Sequence, residues 1–291
     1  MTGRPAPFCV IVPAHNEEAV IRRCLNAVLF GADPGRPPEI IVVANGCTDR
    51  TVDIAKATVP FATVLDLPTG SKTAAMNAGN HVATVAPRFF LDADIECDFR
   101  SLRATADIMR HEGILAATPE LKIDYTQCDP WVRAYYRVWT RLPYVRNRLL
   151  GSGLYGLSAD GLALVGEFPD VIADDLWVRN IIPHDSRRAV GKDASGQEVY
   201  FLVRPPRSFR EHVKIEERRY RGNRQLQREE KFSGSVRTNG ASDLTRLIKS
   251  PRSAWDVAIY LTMKSAARAL YWLRGTERSD RTWTRDETSR A

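Results

Sequence analysis

Residues 8–29 read FCVIVPAHNEEAVIRRCLNAVL. Phe8 to Pro13 is an unbroken apolar run that stops at a proline, the pattern of a short buried strand. Asn16 stands where a helix cap belongs. Val20, Ile21, Cys24, Leu25, Val28 and Leu29 then recur at helical spacing. The alternation continues. EIIVVA (Glu39 to Ala44) predicts a second buried strand, with Asp49 capping a short helix from about Arg50. ATVLDL (Ala62 to Leu67) predicts a third, with Ser71 capping a helix from Lys72 to about Val85. RFFLDAD (Arg88 to Asp94) predicts a fourth. Strands separated by helices argue for an α/β fold, a mostly parallel sheet with helices on both faces.

Such sheets bind ligands at the carboxyl ends of their strands. Polar residues gather at those ends: Pro13-Ala14-His15-Asn16-Glu17, Asn45-Gly46-Cys47-Thr48-Asp49 and Asp92-Ala93-Asp94. Two carboxylates one residue apart can supply oxygens to a hard divalent cation. A departing diphosphate needs such a cation to neutralise the charge that develops on it. An Asp-x-Asp also occurs in solvated turns and helix caps, so its setting decides its meaning.

Four stretches supply that setting. VIVPAHNEE (Val10 to Glu18), VVANGCTDRT (Val42 to Thr51), KTAAMNAG (Lys72 to Gly79) and FLDADIECD (Phe90 to Asp98) resemble, in order, motifs of the family 2 glycosyltransferases. The resemblance covers about residues 8–180. It implies a GT-A fold and transfer of a sugar, with inversion, from a nucleotide diphosphate to an acceptor hydroxyl. It also implies Mg2+ or Mn2+ as cofactor and a UDP-sugar as the favoured donor. Many members carry an acidic pair in the second motif, where this chain has Ala44-Asn45. Carried over position by position, Pro13, His15 and Glu17 border the nucleoside, and Asn45 lies near the base. Lys72 and Asn77 shape the floor of the nucleotide site, Asp92 touches the ribose or sugar, and Asp94 with Asp92 holds the metal. Asp174-Asp175 stands where the family, usually with Glu-Asp, places its catalytic base. Asp175 is the favoured base and Asp174 the second, since inversion needs a carboxylate to take the acceptor proton. GSGLYGLS (Gly151 to Ser158) falls where relatives build the acceptor pocket. Plainer roles exist: Glu17 as a first-turn helix acid, Asp174-Asp175 as a cap pair.

Beyond residue 125 the pattern loosens. Pro130 opens an aromatic-rich helix, Val199 to Val203 reads as a strand, and a basic helix is expected from Ser208 to about Gln227. Phe232 to Ser242 reads as a mobile linker, followed by a helix from about Ser253 to Arg274. The expected organisation is a catalytic domain over 1–204, with a nucleotide-binding half at about 8–120 and an acceptor half at about 121–204. A basic helical extension over 205–275 and a disordered tail over 276–291 complete it.

The chain carries a net charge of +7, and Arg204 to Arg252 alone holds 14 Lys/Arg against 6 Asp/Glu. An anionic partner is implied. Arg221 and Arg224, on one helix face, suit a diphosphate. The last helix sets Trp255, Tyr260 and Tyr271 beside Lys264, Arg268 and Arg274, a composition suited to an anionic membrane surface and to a lipid-linked acceptor. No nucleic-acid-binding motif occurs, so nucleic acid is not an expected partner. Five scattered cysteines read as small core residues and a loop thiol. With no apolar leader and no membrane-length apolar run, a cytoplasmic protein is expected, peripheral on the inner membrane face if it meets lipid. Two other functions compete. A nucleotidyltransferase would open with a glycine-rich basic loop where this chain has PAHNEE. A non-catalytic nucleotide- or anion-binding protein would use the basic segment alone.

Overall fold

The computed structural model describes residues 7–146, 150–228 and 240–274. In chain order come β1 (Cys9–Ala14), α1 (Ile21–Leu29), β2 (Glu39–Asn45), α2 (Thr51–Thr58), β3 (Thr63–Leu67), α3 (Lys72–Val82) and β4 (Arg88–Leu91). Next are β5 (Glu96–Cys97), α4 (Phe99–Glu112), β6 (Ala116–Ile123), α5 (Pro130–Trp139), α6 (Pro143–Arg146), β7 (Leu154–Leu157) and α7 (Ala159–Val165). The chain closes with α8 (Asp174–Ile181), β8 (Arg187–Val190), β9 (Tyr200–Val203), α9 (Phe209–Leu226), α10 (Ala241–Thr245) and α11 (Pro251–Leu273). Two units result. Unit one comprises Met1–Lys122, Leu150–Asp170 and Ile181–Val203, and unit two comprises Ile123–Leu149, Val171–Asn180 and Arg204–Ala291.

Unit one is built on a sheet of order β3-β2-β1-β4-β7-β6-β9-β5, with β8 paired to β6. The first four of these strands run parallel. From β7 the sheet turns mixed, since β7 is antiparallel to both β4 and β6. All six residues of β1 are buried, because a central parallel strand is covered on both faces and therefore reads as a continuous apolar run. One face packs Val10 and Val12 with Ile21, Leu25 and Val28 of α1. The other faces α3, where Gly79 closes on Ile11 and Val43.

Two local expectations are corrected. Asn16 does not cap α1, which begins at Ile21. Asn16 sits instead at φ 54°, a left-handed turn that Asn tolerates, and its Oδ1 accepts the Thr48 N–H at 2.7 Å. β4 ends at Leu91 rather than at Asp94. The Ile95 N–H donates to the Asp92 carbonyl at 3.1 Å, so Asp92-Ala93-Asp94 is a turn. Ser71 caps α3 as expected, accepting the Ala74 N–H at 3.3 Å. All five cysteines are free thiols; Cys9, Cys24, Cys97 and Cys128 are buried, and Cys47 is half-buried.

In unit two, α11 packs on α5 and α9. Asp129 starts two helices at once: its Oδ1 accepts the Val132 N–H (2.8 Å) in α5, and its Oδ2 accepts the Phe209 N–H (2.7 Å) in α9. The aromatic residues of α5 form the interior. Tyr135 stacks on Tyr260 at 5.0 Å and meets His212 edge-on at 4.2 Å. Its hydroxyl donates to the buried Glu216 at 2.8 Å. Glu216 also binds Arg219 at 2.8 Å and Lys264 of α11. Burial pushes this carboxyl up, but Lys264, Arg219 and His212 outweigh it and hold Glu216 well below the usual glutamate range. The helices expected as an extension thus belong to one unit with α5 and most of α8. Among the described residues no helix is long and apolar enough to cross a membrane. The tail over 276–291 and the linker residues 232–239 lie outside the described residues.

Candidate active site

Because β1, β2 and β4 are parallel, the turns that follow them leave the same edge of the sheet. Asn45 closes β2 and is fully buried. Its Nδ2 donates to the carbonyls of Ala14 (2.9 Å) and Val43 (3.2 Å), and its Oδ1 accepts the Ser71 N–H (3.0 Å). One amide therefore braces β1, β2 and the start of α3. Both of its amide hydrogens are used by the backbone. His15 donates from Nδ1 to the Asn45 carbonyl at 2.6 Å. The Asn16 N–H reaches the Cys47 sulfur at 3.3 Å, so the first two turns are cross-linked side by side. Glu17 is 3% exposed, and its N–H donates to Thr51 Oγ1 at 2.7 Å. Pro13 is buried in β1 opposite Val43.

The third turn carries the acids. Asp92 and Asp94 are half-buried. Lys72, at the start of α3, places Nζ 2.7 Å from Asp92 Oδ1. The Asp92 N–H donates to the Gly153 carbonyl at 2.8 Å, which brings the GSG segment of GSGLYGLS against the acids. Gly153 has φ +100°, and a Cβ there would lie 2.6 Å from Ile95 Cγ1, so only glycine fits. Beneath them lies Cys24. Burial first, then the carboxylates of Asp94, Asp92 and Glu17, push its thiol well above the ordinary thiol range. Three carboxylates thus lie close to one buried point.

No group of three or more His, Cys, Asp or Glu placed to hold a metal occurs among the described residues. The pair present suits a Mg2+-like ion, which takes one or two carboxylates and draws its other ligands from water and substrate phosphates. The donor set fits that kind of site and not an all-protein cage.

Asn77 spends its side chain on the backbone of Phe168. Its Nδ2 and Oδ1 pair with the carbonyl and N–H of Phe168, both at 2.9 Å. Phe168 packs edge-on against Phe90 of β4 at 5.1 Å. Through Phe168, Asn77 therefore supports the acid-bearing strand β4.

Asp174 and Asp175 lie in unit two, in the first turn of α8. Asp174 is 4% exposed, whereas Asp175 is half-buried. The preceding segment is clasped by α9: the Ile172 N–H donates to Gln225 Oε1 at 3.0 Å. Gly222, one turn back, leaves room for Ile172 and Ala173, which a Cβ would meet at 3.1–3.2 Å. On the same helix Arg221 pairs with Glu217 at 2.6 Å. The Nε of Arg224 is buried without a hydrogen-bond partner among the described residues. Sequence reasoning missed Gln225 and the cross-link by Asn16. A long-range bond from a side chain to the backbone leaves no periodic trace; the asparagine in a polar turn was the only available signal.

A model described as glycosyl transferase family 2 matches residues 9–164. The glycosyltransferase AglE of Haloferax volcanii is 38% identical over 97 residues, 30% of this chain and 31% of that protein. The match thus spans under a third of that curated relative's length. Among solved structures, the mannosyltransferase PcManGT of Pyrobaculum calidifontis, in complex with GDP-Man and Mn2+, superposes with a TM-score of 0.57 at 20% identity, covering 92% of this chain and 78% of that one. TarS 1–349 of S. aureus, in complex with UDP-GlcNAc, superposes at 0.51 and 14% identity, covering 94% and 77%. These likenesses show that unit one's curled, mostly parallel sheet belongs to the GT-A fold. With its family model spanning more than half of the 291 residues, the chain belongs to glycosyl transferase family 2.

Proposed function

We propose that the protein transfers a sugar from a nucleoside-diphosphate sugar to an acceptor hydroxyl, with inversion and with the help of a divalent cation. The acceptor is lipid-linked if the protein works at a membrane surface. The observation that carries the reading is the meeting of Lys72, Asp92 and the Asp94 turn at the carboxyl edge of β4. Mg2+ or Mn2+ bound by Asp94, with Asp92 assisting, would neutralise the charge that develops on the departing diphosphate. Lys72 fixes the Asp92 carboxylate and adds a positive charge for a donor carrying two phosphates. Pro13, His15 and Glu17 border the nucleoside, while Asn45 acts through the turn that it braces. Asp175, the more accessible of its pair, removes the acceptor proton; the buried Asp174 is second. Arg224 is the better candidate for the diphosphate, because Arg221 is engaged by Glu217.

A panel of UDP- and GDP-sugars, titrated with Mn2+ and read as released nucleoside diphosphate, tests this. UDP-sugars are the favoured donors. Metal-independent release, or no release with any donor in the presence of acceptor extracts, would count against the reading.

A further inference from the structure

We propose that the outer face of unit two is a docking surface for an anionic lipid bilayer. Helix α11 buries Val257, Ile259, Tyr260, Met263, Ala267 and Tyr271 inside the unit, so its apolar stripe is already used. The opposite face ought to be charged, as an outward face normally is. It is not. The exposed positions between Trp255 and Leu273 carry a single charge, Arg268, and no acid. They do carry Trp255 (57% exposed), Leu261 (46%), Trp272 (57%) and Leu273 (85%). The only acid of α11, Asp256, is buried and paired with Arg137 at 2.8 Å.

The apolar face continues onto α5. Trp131 is exposed too, and its ring centroid lies 5.7 Å from that of Trp255. In the stretch of chain that leads to Trp255, Arg246 ends α10, Lys249 lies between α10 and α11, and Arg252 stands in the first turn of α11, all three exposed. They make no ion pair among the described residues. Exposed tryptophans flanked by unpaired cations match a headgroup boundary: the indoles enter the interface and the cations meet anionic headgroups. A neutral protein partner would leave those three charges unmatched. No helix crosses the membrane in this arrangement, in keeping with the helices of the described residues.

The test is co-sedimentation of the intact protein with vesicles of phosphatidylcholine mixed with phosphatidylglycerol, against vesicles of phosphatidylcholine alone. Binding is expected to the mixed vesicles only, and to fade as salt rises. W255S combined with W272S should weaken it by about tenfold or more. R246E, K249E and R252E together should remove its salt-sensitive part. All five positions are exposed, so melting and nucleotide binding should match the wild type. D175N should bind vesicles as the wild type does, so failure of the catalytic assignment leaves this result standing. Failure to bind mixed vesicles overturns the proposal, as does undiminished binding by either variant. A concentration-dependent dimer that the tryptophan variant abolishes also overturns it, by assigning the face to a second copy of the chain.

Discussion

At the residue scale, the proposed chemistry rests on few side chains, each with a different expected signature. Asp94→Asn should weaken metal-dependent donor binding while leaving the melting temperature nearly unchanged, because a half-buried turn carboxylate contributes little to the core. Titration calorimetry with UDP and Mn2+ reads the first and a thermal melt the second; wild-type affinity in the variant would refute the assignment. Asp175→Asn should lower turnover by roughly two to four orders of magnitude, the usual worth of a positioned base, with donor affinity unaltered. Near-normal turnover in both this variant and Asp174→Asn would reduce the pair to a helix cap. Gln225 should act on the same step from a distance, since it holds the Ile172 N–H just ahead of the pair. Gln225→Ala should lower kcat with little change in the donor KM, and Gln225→Glu, which keeps an accepting oxygen, should restore most of it. A fall in melting temperature with kcat intact would make Gln225 a packing residue.

At the element scale, strands were legible where burial on both faces makes a continuous apolar run, as in Cys9–Ala14 and Glu39–Asn45. Helix starts were legible where the cap is local, as at Ser71, or where a proline opens the helix, as at Pro130. Asn16 was misread as a cap, and the partner of Asn77 was invisible, because each spends its side chain on a chain segment distant in sequence: the Thr48 turn and the Phe168 backbone. The packing of α5 with α9 and α11 was equally hidden, since aromatic content announces a core without naming its partners. The buried Glu216 now ties α9 to α11 and α5. Its depressed pKa fixes the sign of a pH effect. Unfolded, this carboxyl takes up a proton near 4.5; folded, it stays ionised well below that value. Its stabilisation is therefore complete above about 4.5 and is lost as the pH falls below it. Glu216→Gln should cost about 1–3 kcal/mol at neutral pH, since Lys264 and Arg219 lose their carboxylate but keep partial access to water. The gap to the wild type should narrow in acid, as urea melts at several pH values would show. A gap independent of pH would mean that Glu216 acts as a packing group.

At the scale of the whole molecule, the fold stands on an apolar core, whereas the proposed cation would rest on two half-buried turn carboxylates, so metal and stability should separate. EDTA alone should leave the melt of the purified protein unmoved. UDP with Mn2+ should raise it, by an amount equivalent to about 2.7 kcal/mol at a hundredfold excess over Kd, and EDTA should reverse the gain. A destabilised apoprotein would show instead that the cation is part of the fold. The distribution of sulfur across the molecule adds a chemical handle. Four of the five thiols are sealed in the interior, and those of Cys9, Cys24, Cys97 and Cys128 are all held above the ordinary thiol range, chiefly by burial. They should be nearly inert to alkylation. Cys47 alone is within reach of solvent, with its sulfur against the Asn16 N–H in the turn that would meet the nucleoside. The native protein should therefore take up a single maleimide label, at a rate that falls when nucleotide fills the edge of the sheet, which makes this one sulfur a built-in reporter of occupancy.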